Sequence, residues 1–132
     1  MRSPQQILAE ARTIAVVGAS PDPSRPSNDV MGYLIGAGYR VIPVRPEDCE
    51  VHGVPCVASL AEIGEPIDLV DVFRRPDAVP EHAREAVAAG AKALWLQVGI
   101  ESEEARRIAE EAGLDYVENA CTKVVHKLHL AR

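Results

Sequence analysis

Arginine residues follow three of the apolar segments in this sequence, at places where they could bind phosphate groups. Arg25 lies in the loop after "TIAVVGA", and Arg45 follows "YRVIPV". Arg74 and Arg75 come directly after "IDLVDVF". A guanidinium group donates forked, charge-assisted hydrogen bonds to phosphate oxygens. This repeated placement predicts a site for an anionic ligand.

The loop after Gly18 has the position of a phosphate-binding loop, but Gly18 is its only glycine. Loops that bind dinucleotides carry several glycines at this point. We expect the next helix to begin near Ser27 or Asn28, either of which could cap it, so that free N–H groups and the helix dipole attract an anion. Ser20 and Arg25 would add side-chain donors. The prolines that stiffen the loop are Pro21, Pro23 and Pro26. An ordinary polar turn is the alternative interpretation.

The residue after the second apolar segment bears on which nucleotide would be bound. Folds that bind NAD carry Asp or Glu there to hold the ribose 2′-hydroxyl. Arg45 stands at this place and would favour a phosphorylated ribose, unless it is simply a surface residue. Glu47 lies two residues further on, and a shift in register would restore the NAD interpretation.

Two further loops carry candidate ligand contacts. Phe73 either stacks on a base or packs in the core, and Pro76 is expected to open the next helix. Gln97 and Gly99 follow the fourth apolar segment, where a neutral amide and a missing side chain allow a ligand to approach closely. Trp95 in that segment is expected in the core.

The elements that position these residues follow from the alternation of apolar and amphipathic segments. The predicted strands are Thr13–Ala19, Tyr39–Val44, Ile67–Phe73, Lys92–Gly99 and Leu114–Ala120. The first four are apolar along their length, which is typical of parallel strands covered on both faces. The pattern predicts an α/β fold, a Rossmann-like three-layer sandwich with a mainly parallel sheet of about five strands. Short helices at Pro4–Ala11 and Thr122–Leu130 are expected to bracket it.

Composition narrows the class of protein. The 132 residues indicate a single domain, 1–132, and the net charge of −6 argues against a nucleic-acid partner. The opening residues lack the apolar core of a secretory signal, and no apolar run reaches the roughly 18 residues that span a bilayer. We therefore expect a cytoplasmic protein without a membrane partner. The odd number of cysteines, without a CxxC pair, favours reduced thiols.

Five segments in order resemble the small single-domain CoA-binding protein family, which is similar to the CoA-binding domain of succinate–CoA ligase α-subunits and ADP-forming acyl-CoA ligases. They are "IAVVGASPDPSRPS", "GYRVIPVRP", "DLVDVFRRP", "GAKALWLQVGI" and "CTKVVH". The resemblance implies a Rossmann-like fold that holds coenzyme A (CoA). The implied contacts are Gly18, Ala19, Ser20 and Arg25 for the pyrophosphate, Val44, Arg45 and Pro46 for the adenosine, Phe73, Arg74, Arg75 and Pro76 for the nucleotide border, and Gln97 and Gly99 for the pantetheine path. Many family members have asparagine in place of Arg45, which leaves its role open between a 3′-phosphate contact and a position facing water.

The predicted function is therefore binding of CoA or acyl-CoA at the carboxyl edge of the sheet, without catalysis by this chain. The resemblance to the ligases stops at the CoA-binding domain, and their catalytic histidine lies on a separate domain. The alternatives are an NAD(P)-binding oxidoreductase and a nucleotide-sensing domain. A homodimer or a partner protein would be compatible with any of these functions.

Cys121 is a candidate of another kind. It is expected near the start of the last helix with Lys123 close by, where its thiol could form a mixed disulfide with CoA. An inert residue beneath the pocket is the alternative. His126 and His129 follow Cys121 without the spacing of a zinc site, so no metal is predicted.

Overall fold

The computed structural model describes residues 1–131, which form seven strands and five α-helices. The strands are β1 (Thr13–Val17), β2 (Arg40–Val44), β3 (Glu50–Val51), β4 (Val54–Pro55), β5 (Leu69–Val72), β6 (Ala93–Leu96) and β7 (Asp115–Val117). The helices are α1 (Pro4–Glu10), α2 (Pro26–Gly36), α3 (Val79–Ala88), α4 (Glu103–Glu111) and α5 (Thr122–His129), with short 3-10 turns at Leu60–Glu62 and Pro76–Ala78. Within residues 1–131, every helix is too short or too polar to cross a lipid bilayer.

A parallel five-stranded sheet forms the centre, in the order β2-β1-β5-β6-β7. The chain pairs β1 with β2 on one side and then crosses to pair β5 on the other. The strand order thus reverses at β1 and β5, and the loops that leave these two strands diverge there. The predicted Rossmann-like α/β fold with about five parallel strands is confirmed.

Both faces of the sheet are buried, which explains why its strands do not alternate between apolar and polar residues. On β1, Ile14 and Val16 face the layer formed by α1, α2 and α5, whereas Ala15 and Val17 face α3 and α4. All four side chains are almost fully buried. Trp95 lies in the first layer as expected, and its indole N–H donates to the carbonyl oxygen of Ala120 at 2.8 Å.

The starts of two helices differ in detail from the expectations. Helix α2 begins at Pro26, one residue before Ser27, because proline suits a first helical position. The expected capping by Ser27 or Asn28 is wrong, since no side chain of residues 1–131 caps this helix. The Asn28 amide instead donates to the carbonyl oxygen of Ser20 at 2.9 Å, which ties the helix to the preceding loop. Pro76 opens a 3-10 turn, and the α-helix begins only at Val79.

The expectation of three reduced thiols is wrong for two of them. Strands β3 and β4 form an antiparallel hairpin, and a disulfide joins Cys49 to Cys56 across it, with 5.2 Å between the Cα atoms. His52 and Gly53 both have positive φ, the geometry of a tight hairpin turn, and this turn brings the cysteines opposite each other. Cys121 is a free thiol.

Candidate functional site

A cavity of about 1020 Å³ opens beyond the carboxyl ends of β1, β5 and β6, where the strand order reverses. Most of the predicted site residues line it. These are Gly18, Ser20, Arg25, Pro26, Ser27, Arg45, Phe73, Arg74, Arg75, Pro76, Gln97 and Cys121. Residues from five separate chain segments are therefore brought to one concave surface.

Four predicted residues lie outside the cavity lining. Ala19 and Val44 are buried in the core, while Pro46 and Gly99 are exposed elsewhere. The Gly99 N–H donates to the side-chain oxygen of Asn119 at 2.7 Å, so that loop turns toward the end of β7. The lining residues that were not predicted as ligand contacts are Pro21, Asp22, Asp29, Val30, Val98, Ile100, Lys123 and Val124. Most of these residues follow a strand or begin a helix at this edge of the sheet. The predicted order of strands and helices would therefore have been enough to place them near the cavity.

Gly18 sets how closely the loops after β1 and β5 approach each other. Its φ is +84°, and a Cβ at this position would collide with the carbonyl oxygen of Phe73 and touch the Arg74 side chain. Its N–H donates to the carbonyl oxygen of Val44 at 3.1 Å. The glycine is therefore required by backbone conformation and by space, and it brings the Arg74 side chain against the start of the loop.

The loop between Gly18 and α2 is shaped by short local hydrogen bonds. The Asp22 carboxylate accepts from the Ser24 N–H at 2.9 Å and from the Ser24 hydroxyl at 2.8 Å, which lowers the pKa of Asp22. Ser20 and Ser27 line the cavity on either side of this turn. No side chain in the described part of the chain caps α2, and the Asn28 and Asp29 N–H groups donate to the carbonyl oxygen of Arg25 at 3.0 and 3.4 Å. Because Pro26 has no N–H, Ser27 is left with the one N–H of this first turn that has no partner among the described residues, and it lies at the cavity wall.

Two cations of the cavity are already paired with carboxylates. Arg45 lies 3.2 Å from Glu47 and donates to the carbonyl oxygen of Ala19 at 3.1 Å, which holds its guanidinium over the loop after β1. Lys123 binds Asp29 at 2.7 Å, and this hydrogen bond raises the pKa of Lys123. The pairing links the first turn of α5 to the first turn of α2 across the cavity.

Arg25 and Arg74 carry the unpaired positive charge of the cavity. Neither forms a salt bridge with any residue in the range 1–131, although both line the cavity. Arg75 is 3.8 Å from Asp77, and both side chains are mostly exposed. A ligand anion placed beside the Gly18 loop would therefore meet two guanidinium groups that form no salt bridge with a carboxylate of the described residues, although the charge of Arg25 does contribute to the lowered pKa of Asp22.

A buried polar cluster lies beneath the cavity, and we call Asp71, Gln97 and Thr122 the floor triad. The Gln97 amide nitrogen donates to Asp71 at 2.6 Å and to Thr122 at 3.0 Å, and the Thr122 hydroxyl donates to Asp71 at 2.9 Å. Asp71 is completely buried, and this burial raises the pKa of its carboxyl to about 7 despite both hydrogen bonds. Gln97 was predicted at the site from the sequence, whereas Asp71 and Thr122 were not.

The start of α5 supplies the remaining wall. Cys121 precedes the first residue of α5, is half-buried, and lines the cavity beside Lys123 and Val124, as its expected position near that helix implied. His126 forms a 2.9 Å hydrogen bond with the Tyr33 hydroxyl on the other side of the helix. In residues 1–131, no three His, Cys, Asp or Glu side chains cluster in a way that could hold a metal ion.

Comparison with known proteins identifies the family of this chain. Residues 12–127 match the family described as the CoA binding domain. The chain belongs to this family. It is 42% identical over 122 residues to the uncharacterized protein YneT of Bacillus subtilis, covering 92% of this chain and 90% of that protein. A hypothetical protein from Pyrococcus horikoshii superposes on it with a TM-score of 0.94 at 41% identity, covering 97% of this chain and 90% of that chain.

A longer relative connects the family to an enzyme. The chain is 31% identical over 125 residues to ADP-forming acetate–CoA ligase I of Archaeoglobus fulgidus. The match covers 87% of this chain but only 18% of the ligase. The expected likeness to ADP-forming ligases is thereby confirmed, while most of the ligase has no counterpart in this chain.

Proposed function

We propose that this protein binds CoA or acyl-CoA in the cavity at the carboxyl edge of the sheet, and that it holds the coenzyme without transforming it. The observation that carries the proposal is the pair of guanidinium groups beside the Gly18 loop, Arg25 and Arg74, which form no salt bridge with any residue in the range 1–131. Membership of the CoA binding domain family supports the ligand class. The ligase activity is not carried over, because the chain spans so small a part of that enzyme.

The charges of the cavity suit a ligand with a pyrophosphate. The start of α2 offers the Ser27 N–H and a partial positive charge, and Arg25 precedes its first residue. Arg74 approaches from the loop after β5. Each charge-assisted hydrogen bond contributes about 1.5 to 3 kcal/mol. The protein as a whole carries a charge of −6, so these local contacts must supply the affinity for an anion.

The end of β2 favours CoA over NAD. Glu47 is directed to Arg45 and is not among the residues that line the cavity. The position from which NAD-binding proteins hold the ribose 2′-hydroxyl thus presents an arginine, which suits the 3′-phosphate of CoA. Arg45 would have to exchange or share its contact with Glu47 to bind that phosphate.

A thermal-unfolding panel with CoA, acetyl-CoA, NAD, NADP and ATP tests the proposal. A ligand that binds only the folded state stabilises it by about 2.7 kcal/mol at a concentration of 100 times its dissociation constant. We expect CoA or acetyl-CoA to give the largest rise in unfolding temperature. A larger rise with NAD, or none with either CoA compound, would contradict the proposal.

Arginine variants then locate the site by calorimetry. We expect Arg25→Ala and Arg74→Ala each to weaken CoA binding at least several-fold, by about tenfold if one charge-assisted bond is lost. Arg107→Ala is the matched control, because it removes the same charge from an exposed position on α4. Equal affinity for all three variants and the wild type would mean that CoA binds elsewhere.

A further inference from the structure

The floor triad contains one polar atom whose role the fold does not explain. Asp71 and Thr122 are fully buried and lie outside the cavity lining, whereas Gln97 lines the cavity with only 4% of its surface exposed. The Gln97 nitrogen donates to both buried partners, and no residue in the range 1–131 donates to the Gln97 oxygen. No fully enclosed side-chain nitrogen or oxygen in that range lacks a partner, so the oxygen must open onto the cavity.

The donors and acceptors of the triad allow one orientation of the Gln97 amide when Asp71 is charged. A carboxylate can only accept, so the group that faces it must be the NH2 and not the carbonyl. The Thr122 hydroxyl donates its single hydrogen to Asp71, and its oxygen accepts a hydrogen bond from the Gln97 amide nitrogen. An inverted amide would place its oxygen against the carboxylate, 2.6 Å away, and lose both bonds.

We infer that Asp71 and Thr122 hold the Gln97 carbonyl oxygen toward the cavity as an acceptor for a neutral hydrogen-bond donor on the pantetheine arm of the ligand. This inference rests on the proposed function. The pantetheine arm carries amide N–H groups, a hydroxyl and a thiol, all of which can donate. A phosphate oxygen cannot donate when ionised, so this acceptor also disfavours the anionic end of the ligand.

The position of Gln97 in the sheet suits that part of the ligand. Gln97 follows β6, and β6 is two strands away from β1, whose loop carries the proposed phosphate contacts. Neighbouring strands are separated by about 4.8 Å, which places Gln97 about 10 Å from that loop along the sheet edge. A ligand with its pyrophosphate at the Gly18 loop would extend its uncharged arm over β5 toward Gln97.

Fragments of CoA test the inference and separate its failure from that of the proposed function. Calorimetry at pH 8 compares CoA, 4′-phosphopantetheine and adenosine 3′,5′-bisphosphate with the wild type and with Gln97→Met. We expect the variant to bind CoA and 4′-phosphopantetheine about fivefold more weakly, the value of one neutral hydrogen bond, and the adenosine fragment equally well. Unchanged binding of the adenosine fragment also demonstrates that the variant is folded.

The outcomes lead to different conclusions. If the wild type binds CoA and Gln97→Met binds it equally tightly, the inference is overturned while the proposed function stands. If only the adenosine fragment is weakened, the ligand lies in the opposite direction and the inference is again overturned. If the wild type binds none of the three compounds, the proposed function itself fails.

A second variant and a second measurement test Asp71 as a positioning residue. Asp71→Asn keeps the shape but can donate as well as accept, so it no longer forces one orientation of the Gln97 amide. We expect a roughly twofold weaker affinity for 4′-phosphopantetheine and none of this loss for the adenosine fragment.

In the wild type, the side-chain amide protons of Gln97 point inward and should exchange with water far more slowly than those of the exposed Gln6. Equal exchange rates by NMR would overturn the orientation even if neither variant folds.

Discussion

Asp71→Asn should change how the stability of this protein depends on pH. Burial raises the pKa of Asp71 from 3.8 to about 7 on folding, so the folded state binds a proton more tightly than the unfolded chain does. The stabilisation by that proton is complete below about pH 4 and is lost as the pH rises through about 7. The free energy of unfolding should therefore fall by about 4 kcal/mol over the complete titration, from well below pH 4 to above pH 8, on account of Asp71 alone.

Urea unfolding of the wild type and of Asp71→Asn between pH 4.5 and 8.5 measures this contribution. Asparagine cannot ionise, and other titrating groups cancel when the two proteins are compared. We expect the free energy of unfolding of the variant, minus that of the wild type, to rise by about 3 kcal/mol across the range. Far-UV circular dichroism follows the transition, with the fluorescence of the buried Trp95 as a second probe.

Asp68→Asn is a control whose difference in unfolding free energy from the wild type should stay constant between pH 4.5 and 8.5, and should change with the opposite sign only below pH 4. Burial alone would raise the pKa of Asp68, but hydrogen bonds from the backbone of Thr13 and Arg12 and from Lys92 outweigh it and lower the pKa. The stabilisation from Asp68 is thus present at neutral pH and is lost as the pH falls below 4. If the difference for Asp71→Asn did not change with pH, our account of a carboxyl group that titrates beneath the cavity would be refuted.

Two other predictions concern the cavity. Gly18→Ala should lower the free energy of unfolding by about 2 kcal/mol or more, because alanine disfavours a φ of +84° and its Cβ would collide with the Phe73 carbonyl oxygen. An unchanged unfolding temperature would contradict the requirement for glycine. Oxidised CoA should form a mixed disulfide with Cys121, because the Cys121 thiolate attacks the disulfide of the reagent and releases one CoA. Intact-mass spectrometry should find the added mass of CoA in the wild type and not in Cys121→Ala. The absence of an adduct in both proteins would disprove the reactivity of this thiol.

The sequence was sufficient for the fold class and for most of the cavity lining. Parallel strands buried on both faces require continuous apolar segments, and these segments located the five strands of the sheet to within a few residues. Side chains that follow such strands must gather at the carboxyl edge, so the order of the segments was enough to place Arg25, Arg74 and Gln97 together. The residues Ala19 and Val44 were assigned to the ligand by resemblance, yet their side chains pack inward.

Tertiary structure alone decided which polar groups are paired and which are free. Arg45 has a carboxylate partner and Arg74 has none within residues 1–131, although both follow strands in the same way. In the sequence, Asp71 is a polar residue within an apolar strand, and its hydrogen-bond partner Thr122 is 51 residues away. Local sequence patterns report contacts within a few residues, whereas burial and hydrogen bonding of a carboxyl group depend on chain segments that meet only after folding. The chemistry of the cavity floor is therefore a product of the packed sheet and helices.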